Sequence, residues 1–351
     1  MFLGLFGFIL SRSKVIKMTP LNETRILTRS DIAAMMSLED YLEGVEYAFR
    51  MHGQGKSFGT AMIHGDTPGE LEFHVKAGGL FWKDRKYYGL KINGSCFSNK
   101  ELRGLPNILG AILLFDGDSG FPLAIIDSVE PTIKRTGAGT AVAMKYLAAP
   151  DAKVMTVCGC GNQGRVHVRF LKIVRPIGRV FAYDEKPEAA EAFARDLEKE
   201  LGLSVRPTRD LASAVAQSQL VVTCTPSKKP YLMKEYVLPG TTVAAVGSDN
   251  PEKQELDPRL LEGNKVVVDI LSQCAQAGEL HHALRQNLIK MEDVYAEIGE
   301  IVSGKKPGRT SPSEIIIYDA TGTALQDTAA AVLGYEKALA RNAGSSIRLL
   351  D

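Results

Sequence analysis

The 351-residue chain has few cysteines and aromatic residues, and no excess of charge of either sign. With 42 basic and 41 acidic residues, its formal net charge is +1, so it lacks the field that would attract nucleic acid or an anionic membrane. The five cysteines are an odd number, widely spread, without a C-x-x-C pair. This pattern indicates reduced thiols in a cytoplasmic protein and gives no metal-ligand spacing, so we expect no metal site.

Long apolar runs are also missing. The opening MFLGLFGFIL has ten residues, whereas a membrane-spanning helix needs about 20. A signal peptide is a poor match, because the positive charges follow this run and no small-residue cleavage site is near. Residues 1–17 therefore read as an N-terminal extension, with Met18 opening the folded protein. The alternative is a short anchor on a membrane surface.

A glycine-rich turn is the most informative feature that is present. The stretch from 154 to 171, VMTVCGCGNQGRVHVRFL, reads as an apolar strand, a turn and a helix. Gly159 permits the tight turn, Gly161 lets the backbone approach phosphates, and Gly164 lets the helix pack on the strand. Because the helix start supplies free N–H groups, the pattern predicts a site for the pyrophosphate of a dinucleotide.

An acidic residue follows at the spacing expected for ribose recognition. The next strand ends in Asp184, about one βαβ unit downstream of the glycines. A carboxylate there repels a 2′-phosphate, so we predict NAD over NADP, while Lys186 and Arg209 leave NADP possible. The alternative is an ordinary strand-to-helix turn, with Asp184 capping the helix that follows.

The order of apolar patterns predicts two domains. A helix is expected over about 38–52, then an antiparallel meander, then a long helix rich in small residues that ends at Pro150. From 152 to about 320, strands alternate with helices, which predicts an α/β, Rossmann-like, doubly wound parallel sheet. A final helix is expected to return to the first domain.

Polar residues at the ends of the predicted strands are candidates for the chemistry, because ligands bind there in such sheets. Asp249 follows an apolar strand, where its carboxylate could relay a proton or hold an amine; alternatively, it caps a turn. Lys91 lies inside an apolar strand, and Arg135 lies in the small-residue helix. A carboxylate or phosphate is the natural partner of Arg135, although each of these charges alone is more often a surface residue.

Together these segments resemble the ornithine cyclodeaminase and mu-crystallin family. The resemblance rests on Lys91 and on GLPNILGAILLFDGDSGFPLAIIDS, KRTGAGTAVAMKYLA, GCGNQG, VGSDNPEKQELDP and YDATGTALQD, and it extends over nearly the whole chain from Met18. It implies a strand-rich substrate and dimerisation domain over 18–146, completed by 323–351, with a Rossmann domain inserted at 147–322. It also implies a homodimer.

The resemblance also implies roles for single residues. Lys91 would bind the substrate carboxylate or assist proton transfer, Arg135 would touch substrate and cofactor, and Asp249 would be the acid/base or amine-binding group. Beside the three glycines, the cofactor would be lined by Asn162, Gln163, Asp184, Thr225, Val246, Lys253 and Thr321.

The sequence departs from the family pattern at several positions. Many members carry an arginine on the strand before the lysine strand, where this chain offers Met62 and His64. Asn107 replaces a frequent threonine and is a candidate for substrate binding. Ala320 replaces the serine that meets substrate in cyclodeaminases. Glu72 is a loose match for the carboxylate that binds ornithine in those enzymes.

The sequence is thus interpreted as an NAD-dependent enzyme that interconverts an L-amino acid and its imine, a dehydrogenase or an imine or ketimine reductase. Its partner would be a small amino, imino or oxo acid. Two alternatives stay open: an ornithine or lysine cyclodeaminase that releases ammonia and recycles its NAD, and a non-catalytic crystallin-like binder of nucleotide and a small ligand.

Overall fold

The computed structural model describes residues 22–67, 71–96 and 98–349. The predictions for residues 1–17 and Met18 lie outside these ranges. The strands are β1 Thr24–Leu27, β2 Ser57–Asp66, β3 Glu72–Trp82, β4 Arg85–Ser95, β5 Ile108–Asp116, β6 Pro122–Asp127, β7 Val154–Cys158, β8 Arg179–Tyr183, β9 Ser204–Thr208, β10 Leu220–Thr223, β11 Lys228–Leu232, β12 Thr242–Ala245, β13 Gln254–Leu256, β14 Lys265–Val268, β15 Ala296–Glu297, β16 Ile316–Asp319 and β17 Ser345–Ile347. The helices are α1 Arg29–Met35, α2 Leu38–Gly53, α3 Asn99–Arg103, α4 Val129–Leu147, α5 Asn162–Val174, α6 Pro187–Leu201, α7 Leu211–Ala216, α8 Leu271–Ala277, α9 Glu279–Arg285, α10 Ile298–Val302 and α11 Ala324–Arg341.

The first sheet has seven strands in the order β17-β1-β6-β5-β4-β3-β2. Strands β3 to β6 form the antiparallel meander that the alternating apolar pattern predicts, and β2 extends it by one antiparallel strand. Helix α11 packs across β3 and β4. Gly89 and Gly78 allow this close approach, since a Cβ on Gly89 would lie 2.2 Å from the Thr328 hydroxyl. The last helix therefore returns to the first sheet, as expected.

The second sheet is parallel throughout, in the order β15-β14-β16-β12-β10-β7-β8-β9. Strands β8 and β9 follow β7 on one side of the sheet, whereas β10 and the later strands lie on its other side. The strand order therefore reverses between β7 and β10, and such a switch point is where these sheets bind ligands. A separate two-stranded pair joins β11 to β13. The doubly wound α/β fold expected from the sequence is confirmed.

The structure differs from the expected elements in detail. Helix α2 matches its prediction within one residue, whereas α4 ends at Leu147 rather than at Pro150. Strand β15 has only two residues, too short for an apolar pattern, and was not expected. Within the described ranges, no helix combines the length and apolar character needed to cross a membrane.

Candidate active site

A cavity lies between the two sheets, at the carboxyl ends of β10, β12 and β16. Its wall on the side of the first sheet comes from β3, α4 and the start of α11. Among the residues that line it are Lys76, Arg135, Gln163, Thr225, Val246, Asp249, Lys253, Ala320, Thr321, Gly322 and Gln326. The sequence therefore brings the predicted Arg135 and Asp249 into one site, although they are more than one hundred residues apart.

The glycine turn has the geometry of a phosphate cradle. Gly159 has a φ of +103°, which favours glycine, and a Cβ on Gly164 would lie 2.1 Å from the Gly159 carbonyl oxygen. Beside Gly161 there is open space for a ligand. Helix α5 begins at Asn162 and no described side chain caps it, so its first N–H groups are available.

One buried polar atom beside this turn supports the same interpretation. Gln163 lines the cavity, and its Oε1 is buried without a hydrogen-bond partner among the described residues. Such an atom is costly unless a ligand or water satisfies it. The turn, the uncapped helix and Gln163 together fit a bound dinucleotide.

Asp184 stands at the end of β8, next to the glycine turn. One carboxylate oxygen accepts the Cys160 N–H at 2.8 Å, and the other accepts the Lys186 N–H at 3.0 Å. Asp184 therefore ties its strand end to the turn and does not serve as the N-cap of α6, which is Lys186. Each oxygen keeps further acceptor capacity for a ribose hydroxyl.

Asp249 pairs with a lysine in the cavity wall. Its carboxylate lies 2.6 Å from the Lys253 Nζ, and 36% of its side chain is exposed. Burial alone would raise the pKa of Asp249, but the charges of Lys253 and Lys76 outweigh burial and hold that pKa well below its ordinary value. The neighbouring Asn250, rather than Asp249, caps the turn by accepting two backbone N–H groups.

Asp327 of α11 holds two cations at once. Its carboxylate lies 2.7 Å from the Lys91 Nζ and 2.8 Å from the Arg135 Nε, and the three side chains are almost fully buried. Burial and the charge of Arg135 lower the pKa of Lys91 to about 7, partly offset by Asp327. Burial would raise the pKa of Asp327, but Arg135 and Lys91 lower it overall.

The start of α11 also fixes the Arg135 guanidinium. The Gln326 Oε1 accepts from the Arg135 Nη1 at 3.0 Å and from the Thr323 N–H at 2.9 Å. The Thr323 hydroxyl in turn accepts from the Gln326 N–H, which completes a capping box. Arg135 is therefore oriented by the same side chains that begin the helix.

Buried carboxylates accept hydrogen bonds from the loops that line the cavity and so hold these loops in place. Glu255 accepts both the N–H and the hydroxyl of Thr225 at 2.7 Å. Asp269 accepts the Gly322 N–H at 2.7 Å and so holds the turn after β16. Burial raises the pKa of both carboxyls, although these hydrogen bonds counteract it. Thr225 and Thr321 thus lie in loops that are hydrogen-bonded to buried carboxylates.

Several predicted site residues do not line the cavity in this structure. Lys91 lies behind Asp327, and Asn162 is exposed at the start of α5. The Asn107 Oδ1 accepts the Lys100 N–H at 3.1 Å. Glu72 contacts the His74 Nε2 at 3.2 Å, at the open end of β3. In their proposed roles, these residues would act through a neighbouring side chain or would contact a part of the ligand that extends beyond the cavity.

The sequence reasoning missed three residues at this site, namely Lys76, Asp327 and Gln326. Each left a signal in the sequence. Lys76 interrupts an apolar strand just as Lys91 does, and Asp327 is the acidic residue near the start of an otherwise small and apolar helix. Gln326 stands three residues after the Thr323 cap, where a capping box places it.

Comparison with known proteins gives one family. The sequence model of the ornithine cyclodeaminase/mu-crystallin family matches residues 22–342. The alanine dehydrogenase of Archaeoglobus fulgidus is 38% identical over 330 residues, which are 93% of this chain and 98% of that protein. The resemblance seen in the sequence motifs is confirmed.

Solved structures agree with that match. An archaeal alanine dehydrogenase dimer with bound NAD superposes with a TM-score of 0.88 at 37% identity, covering 93% of this chain and all of that one. The Δ1-pyrroline-2-carboxylate reductase of Thermococcus litoralis, in complex with NADH and L-proline, gives a TM-score of 0.87 at 29% identity over 92% of this chain and all of that one.

Proposed function

The chain belongs to the ornithine cyclodeaminase/mu-crystallin family, and from this membership we propose that the enzyme interconverts an L-amino acid and its imine by hydride transfer at the α-carbon, with NAD as cofactor. The observation that carries the proposal is the single cavity that joins Gln163, beside the glycine turn, to Arg135 and Asp249. The NAD and NADH bound in similar structures support the cofactor. The substrate would be a small amino, imino or oxo acid.

The residues that fit the cofactor surround the cavity and the glycine turn. The pyrophosphate would lie against the start of α5, and the ribose hydroxyls against Asp184. We propose the following residues as the cofactor site: Gly159, Gly161, Asn162, Gln163, Gly164, Asp184, Thr225, Val246, Lys253 and Thr321. When bound there, NAD supplies the hydride acceptor, and its reduced form supplies the donor.

Asp249 and Arg135 would each bind a different charged group of the substrate. The ionised Asp249 attracts a substrate ammonium or iminium group, and Arg135 attracts a carboxylate. Oxidation of the amino acid by NAD gives the imine, NADH and one proton, and water then converts the imine into the oxo acid and ammonia. We propose Asp249 as the amine-binding or acid/base group of this step.

Lys91 contributes through Asp327. Because one carboxylate balances both Lys91 and Arg135, the position of the guanidinium depends on the lysine. We propose that Lys91 supports carboxylate binding in this way or assists proton transfer. Glu72 and Asn107 stay proposals for substrate contacts at the rim.

The proposed reaction can be tested with a panel of amino acids and NAD that includes alanine, ornithine and lysine. NADH absorbance and ammonia are followed in the same sample. Equal amounts of ammonia and NADH support an amino-acid dehydrogenase. Ammonia without net NADH indicates that the hydride returned to the substrate, as in a cyclodeaminase. Binding of NADH without turnover on the whole panel favours the non-catalytic binder.

Replacement of Asp184 by serine is expected to move cofactor preference toward NADPH. The carboxylate opposes a 2′-phosphate, and a close charge pair is worth about 1–4 kcal/mol, so the ratio of NADPH to NADH affinity should rise by about 10-fold or more. Fluorescence titration of both cofactors measures this ratio. Asp151→Ser, an exposed residue in the loop before β7, is the control. An unchanged ratio in Asp184→Ser would place the ribose contact elsewhere.

The outer face of the first sheet carries a row of apolar side chains, two of which are exposed and two half-buried. Ile63, Val75, Ile92 and Ala111 form one row across β2 to β5. Ile63 is 61% exposed and Ile92 is 40% exposed. A partly exposed apolar row of this kind marks an interaction surface. We propose that a second copy covers it, with the 18–146 and 323–351 segments as the dimerisation domain and 147–322 as the nucleotide domain; the dimer of the similar alanine dehydrogenase supports this.

Replacement of Ile92 by aspartate is therefore expected to convert the protein to a monomer at micromolar concentration, because the new charge would be buried in the interface. Light scattering coupled to size exclusion measures the mass. Ile173→Asp is the matched control, since Ile173 is 42% exposed on α5, away from this sheet. A dimer that survives Ile92→Asp would exclude this face as the interface.

A further inference from the structure

Lys76 is a buried lysine beside the proposed carboxylate site. It lies on β3, opposite Lys91 of β4 and Met62 of β2, on the face of the first sheet that α11 covers. Only 4% of the residue is exposed, and that part lines the cavity. Lysines are rarely buried without a partner that balances the charge.

The ammonium group is anchored on neutral acceptors. It donates to the Thr321 carbonyl oxygen at 2.7 Å and to the Gly322 carbonyl oxygen at 2.9 Å. No carboxylate in the described part of the chain forms an ion pair with it. An ammonium has three protons, so one donor of Lys76 is left for the cavity.

Lys91 differs in both respects. Its charge is balanced by Asp327, and it does not line the cavity. Asp327 also balances Arg135, so the two cations already share one carboxylate and none is left for Lys76. Of the two lysines, Lys76 is therefore the one with both an unused donor and access to a ligand.

Lys76 and Arg135 meet at Gly322. Lys76 bonds the Gly322 carbonyl, while a Cβ on that glycine would lie 2.5 Å from the Arg135 Nη1. Two cations this close repel each other, and an anion between them would relieve the repulsion. Burial and the nearby Arg135 lower the pKa of Lys76, which is the expected sign of that repulsion.

We propose that Lys76 is a substrate-binding residue, whose free N–H donor holds the carboxylate of the amino or imino acid together with the Arg135 guanidinium. This inference rests on the proposed function. The arrangement also orients the substrate, because its carboxylate is drawn to Lys76 and Arg135 and its amine to Asp249. A substrate without the carboxylate charge would lose this orientation.

Lys76→Gln tests the proposal, because the glutamine amide can still donate to the backbone carbonyls but carries no charge. We expect KM for the amino acid that the wild-type panel selects to rise by about 30-fold, the factor for one charged hydrogen bond. NADH affinity, measured by fluorescence, should stay within about twofold, since the charge removed is assigned to the substrate. The carboxamide derivative of the same amino acid is the second substrate.

The ratio of kcat/KM between the acid and its amide is the decisive measurement. The wild type should discriminate strongly for the acid, and Lys76→Gln should lose most of that discrimination, which a purely structural role would not change. Lys306→Gln, whose lysine donates to the Tyr295 carbonyl away from the cavity, is the control. If the glutamine variant does not fold, the same kcat/KM ratio is measured for Lys76→Met, and the same loss of discrimination is expected.

The outcomes separate the two proposals. A wild type without turnover or NADH binding would overturn the proposed function and this role of Lys76 with it. A wild type that turns over, with a Lys76 variant that keeps its acid-to-amide ratio, would overturn the role of Lys76 alone. Equal losses of NADH affinity and turnover in Lys76→Gln would also overturn the substrate-binding role, because they would show that Lys76 mainly stabilises the turn at Thr321.

Discussion

The Asp249→Asn enzyme is expected to lose about three orders of magnitude in kcat while it binds NADH nearly as well as the wild type. Positioned acid–base groups contribute factors of about 10²–10⁴ to rate. Asparagine has the same shape as aspartate, but it cannot carry the negative charge that attracts a substrate ammonium or take up its proton. Stopped-flow or steady-state rates on the selected amino acid, with fluorescence titration of NADH, measure the two quantities.

The environment of Asp249 makes this prediction specific. Lys253 lies 2.6 Å away, and this lysine and Lys76 keep the pKa of the Asp249 carboxyl well below its ordinary value. Because a lowered pKa keeps the carboxylate charged as pH falls, Asp249 should stay ionised throughout the neutral range. The charge is then available to a cationic amine at any working pH, which favours the amine-binding role over that of a strong base.

The control for Asp249→Asn is a substitution that removes a neighbouring surface charge. Glu252→Gln removes a charge from the same loop, where Glu252 pairs with Lys228 at the surface, and it should leave kcat unchanged. Equal losses of turnover and NADH affinity in Asp249→Asn would show that Asp249 is structural. An unchanged kcat would remove Asp249 from the reaction.

The parts of the site that depend on local spacing could be predicted from the sequence. Gly159 and Gly161 lie in the turn, Gly164 lies in the first turn of α5, and the same βαβ unit brings Asp184 beside them, because a strand, a tight turn and a helix have fixed dimensions. Asp249 lies four residues after the end of β12 at Ala245, and strand ends in a parallel sheet meet at one edge. These positions depend only on the order of elements.

The parts that depend on strand register and on distant segments could not be predicted. Lys76 stands beside Lys91 only because β3 and β4 pair in that register, and Asp327 reaches both Lys91 and Arg135 only because α11 returns across the sheet. The resemblance assigns Lys91 to the substrate carboxylate or to proton transfer, and in the structure Lys91 pairs with Asp327 and does not line the cavity. Nothing in a local pattern indicates which of two lysines on neighbouring strands is covered by a helix.

Asp327→Asn is expected to lower the free energy of unfolding by about 3–5 kcal/mol, because breaking a buried ion pair leaves its cations without compensation. Here one carboxylate balances two cations, Lys91 and Arg135, and only 2% of the Asp327 side chain is exposed. Urea unfolding followed by circular dichroism measures the change. Activity should also fall, since the Arg135 guanidinium loses one of the groups that orient it.

Asp40 of α2 provides the matched control, because it also forms an ion pair that involves α11. It pairs with Lys337 of α11 at 2.8 Å, similar to the distances at Asp327, but its side chain is 21% exposed and that of Lys337 is 29% exposed. Solvent weakens such a pair, so Asp40→Asn should cost about 1 kcal/mol or less for the ion pair. Asp40 also accepts the Ser37 N–H at the start of α2, which asparagine can still accept.

A second substitution shows whether the unbalanced charge causes the loss. Asp327→Asn leaves two buried cations without their carboxylate. Adding Lys91→Met removes one of these cations and replaces it with an apolar side chain of similar length. The loss of stability in the double variant should therefore be smaller than the sum of the losses in Lys91→Met and Asp327→Asn, by a coupling of about 1 kcal/mol or more, as contacting charges show. Additive losses from the two substitutions would mean that Lys91 and Asp327 do not stabilise each other. Asp327 would then stabilise the fold through Arg135 and not through Lys91.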